Sequence, residues 1–262
     1  MVHISMYKEE CNAMLKEERQ ALILNKLHAS GKVVVSKLAI ELNVSEDTIR
    51  RDLLDLDQKG QVKRVFGGAL PLEQPVVNYF DRETTEIELK QRLAEKALGF
   101  LEQGQLVAID GSSTNLQLAK IIPGSLRLTV LTNSYSIAHA LSMKEQTEVI
   151  LLGGRLLKES LMSVGETAVA QASLFHPDIC FVGVYAIHPE YGMTIPYPEE
   201  ASLKRRLMEN SNKVISLVSP RKLNTVSRYQ VCGIEALTTL ITDGDVPEEI
   251  AGDYRAKGLD FL

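Results

Sequence analysis

Cysteine is scarce in this chain of 262 residues: Cys11, Cys180 and Cys232 lie far apart and form no CxxC pair. That excludes a disulfide framework and a thiolate metal site, and points to a reducing cytoplasm. The N-terminus, MVHISMYKEE, has no apolar core of a signal peptide. No apolar run approaches the roughly 18 residues needed to cross a bilayer, so no membrane partner is expected. The sequence has no GxxxxGK[ST] loop, no GxGxxG, no HExxH and no GxSxG. Its five histidines (His3, His28, His139, His176 and His188) show no metal-ligand spacing. No nucleophile sits with a positioned base, so no catalytic residue, metal or cofactor is expected. The net charge of −5 argues against a general nucleic-acid coat. A sequence-specific binder can still be acidic overall when its basic residues are gathered locally.

What is present begins with the stretch Val33 to Gly68, VVVSKLAIELNVSEDTIRRDLLDLDQKGQVKRVFGG. Asn43-Val44 forms a tight turn between two short helical patterns. Ser45 is placed as the N-cap of the second helix, where its hydroxyl can accept from a free first-turn amide. Ile49, Leu53 and Leu56 follow at i, i+4, i+7 and make one apolar stripe. Thr48, Arg50 and Arg51 fall off that stripe near the front of the helix, where a recognition helix meets base edges and phosphates. Leu38, Ala39 and Leu42 give the preceding helix its buried face, with Ser36 as its expected cap. Lys63 and Arg64 follow in a Val-rich hairpin that ends at Gly67-Gly68. Solvated arginines on an ordinary helical hairpin would explain any one of these cues. Their coincidence favours DNA. The residues expected to face it are Ser36, Ser45, Glu46, Thr48, Arg50, Arg51, Lys63 and Arg64. The stretch holds six basic and six acidic residues, so it is locally neutral, and binding rests on two pairs, Arg50-Arg51 and Lys63-Arg64.

In chain order, Lys16 to Ser30 reads as a supporting helix with Ile23, Leu24 and Leu27 inward, stopped by Gly31. Residues 1 to about 15 carry no clear pattern. Prolines in PLEQPVVNYFD, Pro71 to Asp81, mark a linker. The expected organisation is a winged helix-turn-helix domain over 16–71 (helix-turn-helix about 33–52), a linker over 72–82 and an α/β domain over 83–262. Arg82 to Gln103 reads as one long helix. Beyond Gly104, apolar runs at Leu106–Ile109, Leu128–Thr132, Val149–Leu152, Ile179–Val184, Val214–Val218 and Thr239–Thr242 read as strands. Helical runs sit between most of them, at Asn115–Ile122, Tyr135–Met143, Glu166–Leu174 and Glu199–Asn210. Such alternation predicts a doubly wound, mostly parallel sheet, with ligands at the carboxyl ends of its strands.

The loops at those ends hold the second set of candidates. In Asp110-Gly111-Ser112-Ser113-Thr114, a tight turn brings three hydroxyls and the first amides of the next helix toward one spot, an arrangement suited to an anion. A capped turn without a ligand is the plainer reading. Thr132-Asn133-Ser134 and Gly153-Gly154 occupy the next two loops. Glu200 and Lys204 are one turn apart on a helix, as an exposed ion pair would be. Lys222 lies in the loop after Val214–Val218.

The run VSEDTIRRDLLDLDQKGQVKRVFGGA resembles the DNA-binding signature of the DeoR-type bacterial transcriptional regulators. The motifs DGSST, LTVLTNS, VILLGG, SVGE, FVGVYAI, YGMT with EEASLKR, and a Lys after a late strand follow in that family's order, so the resemblance spans roughly residues 16 to 245. It implies a repressor of a carbohydrate-utilisation operon whose C-terminal domain is similar to ribose-5-phosphate isomerase and related phosphosugar-binding folds. It also implies that Asp110, Gly111, Ser112, Ser113 and Thr114 cradle the effector, with Thr132, Asn133, Ser134, Gly153, Gly154, Glu200, Lys204 and Lys222 lining the same pocket. The implied partners are double-stranded operator DNA, a phosphorylated sugar or related small anion, and further copies of the chain in a dimer or tetramer. A phosphosugar isomerase-like enzyme carrying a DNA-binding head is the alternative. The chain departs from the family pattern twice. No acidic residue stands near Tyr185, and the loop usually read as Asp-x-Ser-Lys-Phe-Gly is Ser219-Pro220-Arg221-Lys222-Leu223-Asn224. Both changes remove a carboxylate, and the cationic Arg221-Lys222 favours an anionic ligand.

Overall fold

A computed structural model describes residues 14–30, 32–71, 79–244 and 246–262. The expected helix stop at Gly31, residues 72–78 of the expected linker, the N-terminal stretch 1–13 with His3 and Cys11, all lie outside the described residues. The chain divides into two compact units at Pro71/Leu72.

The first unit runs α1 (Lys16–Ser30), β1 (Val33–Val34), α2 (Val35–Glu41), α3 (Glu46–Gln58), β2 (Val62–Val65) and β3 (Gly68–Pro71). The apolar stripes meet as their spacing predicts. Ile23 and Leu27 of α1, Leu38 of α2, and Ile49, Leu53 and Leu56 of α3 are buried in one cluster. Asn43 takes φ 49° in the turn, a left-handed conformation that Asn tolerates better than most residues. Ser45 caps α3, its Oγ accepting from the Thr48 amide at 3.1 Å. Ser36 does not cap α2. That helix starts two residues earlier than a Ser36 cap would set, at Val35, and its N-cap is Val34, which has no side-chain acceptor. The Val35 amide is instead satisfied by the Gly67 carbonyl at 2.8 Å, a tertiary bond that starts the helix without a hydroxyl. Asp52, on the buried side of α3, accepts from Arg19 Nε at 2.5 Å and Arg19 NH2 at 3.2 Å, locking α1 to α3. β1, β3 and β2 form a small antiparallel sheet with β3 in the middle.

The second unit runs α4 (Tyr79–Thr84), α5 (Ile87–Leu98), β4 (Leu106–Ile109), α6 (Ser113–Ile121), β5 (Leu128–Thr132), α7 (Tyr135–Leu141), β6 (Thr147–Leu151), β7 (Arg155–Leu157), β8 (Met162–Val164), α8 (Glu166–Ala172), β9 (Ile179–Gly183), β10 (Ala186–His188), β11 (Gly192–Ile195), α9 (Pro198–Glu209), β12 (Lys213–Leu217), β13 (Tyr229–Cys232), β14 (Thr239–Ile241), α10 (Glu248–Arg255) and β15 (Asp260–Phe261). Seven strands make one sheet in the order β15-β14-β12-β9-β4-β5-β6. Every neighbouring pair in it is parallel. Helices α5, α6 and α7 cover one face and α8, α9 and α10 the other, through two separate apolar clusters. Burial on both faces is why the inner strands read as continuous apolar runs. β9 shows this fully, with all five residues buried. From β4 the chain builds outward through β5 and β6, then returns to place β9 on the other side of β4. That reversal between β4 and β9 is the topological switch point, where a crevice opens beyond the strand ends.

The long helix expected over Arg82 to Gln103 is broken. Thr85 and Glu86 separate α4 from α5, and Glu86 adopts φ 52°. The physical reason is a buried lysine. Lys90 Nζ donates to the Arg82 carbonyl and, at 2.6 Å, to the Thr85 carbonyl, satisfying acceptors that the end of α4 leaves open. Arg221 holds the Glu86 carboxylate at 3.0 Å. The six strand runs read from sequence correspond to β4, β5, β6, β9, β12 and β14. The hairpin β7–β8 and the small sheet β10-β11-β13 are short and carried no comparable pattern.

Candidate functional site

On the first unit, α3 presents its charged residues outward. Ser45, Glu46, Arg50 and Arg51 are exposed and Thr48 half-buried. The Ser45 and Thr48 hydroxyls lie 2.9 Å apart at the front of the helix. Arg50 is paired on its own helix with Glu46 at 2.5 Å and Asp47 at 3.0 Å. Exposed pairs of this kind contribute about 0–1 kcal/mol, so a phosphate or a guanine can take the guanidinium from them. The Arg51 side chain makes no hydrogen bond or ion pair among the described residues. Lys63 and Arg64 are exposed on β2, and Ser36 is exposed on α2. The Arg64 amide donates to Asp57 Oδ1 at 3.2 Å, which fastens the hairpin to the end of α3.

On the second unit, the crevice at the switch point is a narrow cleft open to solvent, with an interior of only about 20 Å³, room for roughly one water. Its floor is a buried charge cluster. Asp110, at the end of β4, is fully buried, and its Oδ2 accepts from the Gly183 amide of β9 at 2.9 Å and from Lys204 Nζ. Lys204 Nζ also lies 3.4 Å from Glu200 Oε1. Both α9 side chains are almost wholly buried, at 2% and 8% exposure, so the pair is not the exposed one that i, i+4 spacing alone suggests. Spacing shows that two residues share a helix face; packing decides that this face lies on the sheet. Burial pushes the Glu200 carboxyl above the usual range, and Asp110 adds to the effect. Burial acts to lower Lys204, but Asp110 and Glu200 outweigh it and hold the amine above its usual value, charged. Asp110 Oδ1 is buried without a hydrogen-bond partner.

The loop above this floor is held by hydrogen bonds at several points. The Gly111 amide donates to Asn133 Oδ1 at 3.0 Å, and Asn115 Nδ2 donates to the carbonyls of Asp110 and Phe181, each at 2.9 Å. Ser112 caps α6, its Oγ accepting from the Asn115 amide at 2.9 Å, and its hydroxyl faces the cleft. Two glycines permit the close approach. A Cβ on Gly111 would lie 2.0 Å from Met162 Sδ, and one on Gly183 would lie 2.6 Å from Ser112 Cβ.

The candidates do not all meet in the cleft. Gly111, Ser112, Glu200 and Lys204 line the cleft, with Asp110 held beneath them. Ser113 and Thr114 do not join Ser112 there. They lie in the first turn of α6 and are buried, because successive helical residues point roughly 100° apart. Thr132, Asn133 and Ser134 are wholly buried braces. Thr132 Oγ1 donates to the Ile109 carbonyl at 2.6 Å, and Ser134 caps α7. Gly153 and Gly154 are not in the cleft lining, and the Gly153 amide donates to Gln171 Oε1 at 2.7 Å. Lys222 Nζ reaches the Val184 carbonyl at 2.5 Å, behind a residue of the cleft wall.

The cleft also contains residues that sequence reasoning missed: Arg82 of α4, Ser160 between β7 and β8, and Tyr197 before α9. Arg82 NH2 donates to the Glu159 carbonyl at 3.2 Å while its Nε is buried and unpartnered. Ser160 Oγ lies 3.4 Å from Glu200 Oε2. Gly183 had a legible signal, a glycine at the carboxyl end of a buried strand. Arg82 and Ser160 had none, since 78 residues of chain separate them. A guanidinium at the wall, hydroxyls at the rim and carboxylates at the floor can together bind a polyhydroxy anion. Among the described residues no helix is long and apolar enough to cross a membrane.

Comparison with known proteins agrees with both halves of this arrangement. Residues 19–74 match the DeoR-like helix-turn-helix domain, and residues 85–244 match the DeoR C terminal sensor domain. The chain is 34% identical to the HTH-type transcriptional repressor GlcR of Bacillus subtilis (strain 168), covering 88% of this chain and 89% of that protein. It is 33% identical to the HTH-type transcriptional regulator GolR of Listeria innocua, over 94% of this chain and 98% of the relative. Among solved structures, ribose 5 phosphate isomerase A from Neisseria gonorrhoeae aligns at 18% identity over 55% of this chain and 56% of its own, with a TM-score of 0.40. The chain belongs to the DeoR family of DNA-binding transcriptional regulators.

Proposed function

We propose that this regulator is a repressor of a carbohydrate-utilisation operon, released when a phosphorylated sugar or a related polyol phosphate occupies the cleft at the β4/β9 switch point. The observation that carries the reading is the Asp110–Lys204–Glu200 cluster beneath that cleft. A buried carboxylate oxygen without a partner is a standing acceptor for a ligand hydroxyl. In this reading Asp110 and Glu200 take sugar hydroxyls, Ser112 and Ser160 add donors at the rim, and Arg82 with the first amides of α6 takes the phosphate. Asn133 and Thr132 hold the loop in register without touching the ligand. Lys222 acts through the Val184 carbonyl. Two copies of the first unit, set by a dimer or tetramer, read a palindromic operator through α3. The name of one relative, a repressor, supports the sign of the regulation. By linkage the ligand must bind the released state more tightly than the DNA-bound one.

A thermal-shift series with pentose, hexose and glycerol phosphates, with inorganic phosphate as control, tests the ligand class. A stabilising compound should release the protein from operator DNA in a gel shift. Ser112→Ala and Arg82→Ala should lose both responses while binding DNA as before. Unchanged release in both variants would move the effector site elsewhere. The unpartnered carboxylate oxygen of Asp110, buried beneath the cleft beside Lys204, also favours a second reading, in which it becomes a general base once a substrate opens the floor. Isomerisation of a pentose or hexose phosphate that disappears in Asp110→Ala would establish enzyme activity.

A further inference from the structure

The hairpin of the first unit ends in an aromatic side chain that nothing covers. Phe66 stands in the two-residue turn between β2 and β3 and is fully exposed, at 106%. Single exposed apolar residues are ordinary on protein surfaces. This one differs in how firmly it is held. The Gly67 carbonyl accepts from the Val35 amide at 2.8 Å, tying the turn to the start of α2. Gly67 takes φ 79°, which lets the chain reverse in two residues. Gly68 packs so closely on β1 that a Cβ there would lie 1.9 Å from the Val33 carbonyl oxygen. β3 is paired on both sides, to β1 and to β2. Phe66 is therefore displayed on a rigid tip.

The surroundings of the tip define its partner. Lys63 and Arg64 are exposed on the strand leading to Phe66, and residues 62–71 contain no acidic side chain. An apolar point flanked by cations fits a groove walled by phosphates. Duplex DNA supplies such a groove, and proteins that enter it from the minor-groove side insert Phe or aliphatic wedges between base steps.

We propose that Phe66 is a wedge that enters the DNA minor groove next to the major groove occupied by α3. There it partly unstacks one base step, while Lys63 and Arg64 hold the flanking phosphates. The wedge makes the protein selective at a position that α3 does not touch. Pyrimidine–purine steps unstack and kink most easily, so a TA or CA/TG step is preferred under the tip. The proposal rests on α3 reading the major groove, and its test separates the two ideas.

The experiment uses the full chain and duplexes that it enriches from a library with a randomised core. The enriched set should carry a flexible step at a constant distance from the α3 half-site. 2-Aminopurine placed at that step should brighten on binding, and the duplex should bend. Phe66→Ala should abolish the brightening and the bend, flatten the step preference, and bind about tenfold more weakly. Phe66→Leu should keep most of the effect, because an aliphatic wedge also unstacks. Arg51→Ala should weaken binding without removing the brightening at saturating protein. Identical brightening, bend and step preference in Phe66→Ala overturns the wedge and leaves the α3 assignment standing. Unchanged DNA behaviour with a lower oligomeric mass in Phe66→Ala also overturns it, and gives the tip to a second copy of the chain.

Discussion

Replacing Lys204 with Met tests the centre of the sensor unit. The ammonium is 2% exposed and bridges Asp110 Oδ2 and, at 3.4 Å, Glu200 Oε1. Without it, Asp110 keeps one hydrogen bond, from the Gly183 amide at 2.9 Å, and its other oxygen is already unpartnered. Glu200 keeps Ser160 at 3.4 Å. Two carboxyls then share a buried site whose nearest remaining cation is Arg82 at the cleft wall. Removing one member of a buried ion pair costs about 3–5 kcal/mol. Glu200 is already held above the usual range by burial, so it can take a proton and relieve part of the strain. We therefore expect a loss near the lower end, about 3 kcal/mol, or roughly a hundredfold in the folding equilibrium. The variant should recover as pH falls. Its carboxyls bind protons more tightly folded than unfolded, so stability rises as pH drops from neutral toward the unfolded carboxylate pKa. Urea unfolding followed by tyrosine fluorescence reads this unit selectively, because the chain has no tryptophan and Tyr7 is its one tyrosine before residue 72. Adding Asp110→Asn to the variant should restore part of the loss. A loss below about 1 kcal/mol, with no recovery at lower pH, would mean that the cluster is solvated and the reasoning wrong.

Lys90 gives a pH effect of the opposite sign. Burial, with Lys222 adding to it, lowers its amine from the usual 10.5 to about 8. Between those values the unfolded chain binds the extra proton, so stability should rise with pH across that window. The neutral amine still has donors for the Arg82 and Thr85 carbonyls. Urea midpoints of the wild type and Lys90→Met should diverge from pH 8 upward, and parallel profiles would sink the assignment. On the DNA side, Arg51→Ala should weaken operator binding by about 1–3 kcal/mol if a guanine contact is lost. Arg50→Ala should weaken it less, since Glu46 and Asp47 already hold that guanidinium. Unchanged gel shifts for both would remove α3 from the major groove. Lys63→Ala should weaken all duplexes alike and reduce the salt slope by about 0.9, whereas a sequence-selective loss would make it a base reader. Gly68→Ala should open the β1–β3 pairing and destabilise the first unit by about 1–3 kcal/mol, as steric overpacking does. Hydrogen exchange of the Val33–Val35 amides would show it, and unaltered protection there would refute it.

Much of the chain was legible because its determinants are local. The capping hydroxyl of Ser45 and the Ile49–Leu53–Leu56 stripe act within one helix. The inner strands are apolar throughout because both faces are covered, and an unbroken apolar run records that directly. Where the reading failed, the missing partner was remote. Ser36 looked like a cap because nothing near it announces the Gly67 carbonyl. The long helix over Arg82 to Gln103 is broken by the Lys90 amine, and Arg221 holds the αL residue at the break, 135 positions away. Glu200 and Lys204 looked exposed because spacing does not say which face of α9 meets the sheet.

Sequence alone was enough to establish the two-part regulator: a DNA-reading helix with its basic hairpin, followed by alternating strands and helices with an oxygen-rich first loop. The helices, strands and first loop are written in periodicity, caps and turn residues that act over a few positions, and the regulator reading came from the resemblance that the motifs carry. The cleft was decided by tertiary structure. Its floor needs β4, β9 and α9 side by side, and its wall takes Arg82 and Ser160 from α4 and the β7–β8 turn. Only the crossover at the switch point brings them together, and desolvation there turns a surface-like Glu–Lys pair into a buried charge cluster with an unpartnered acceptor.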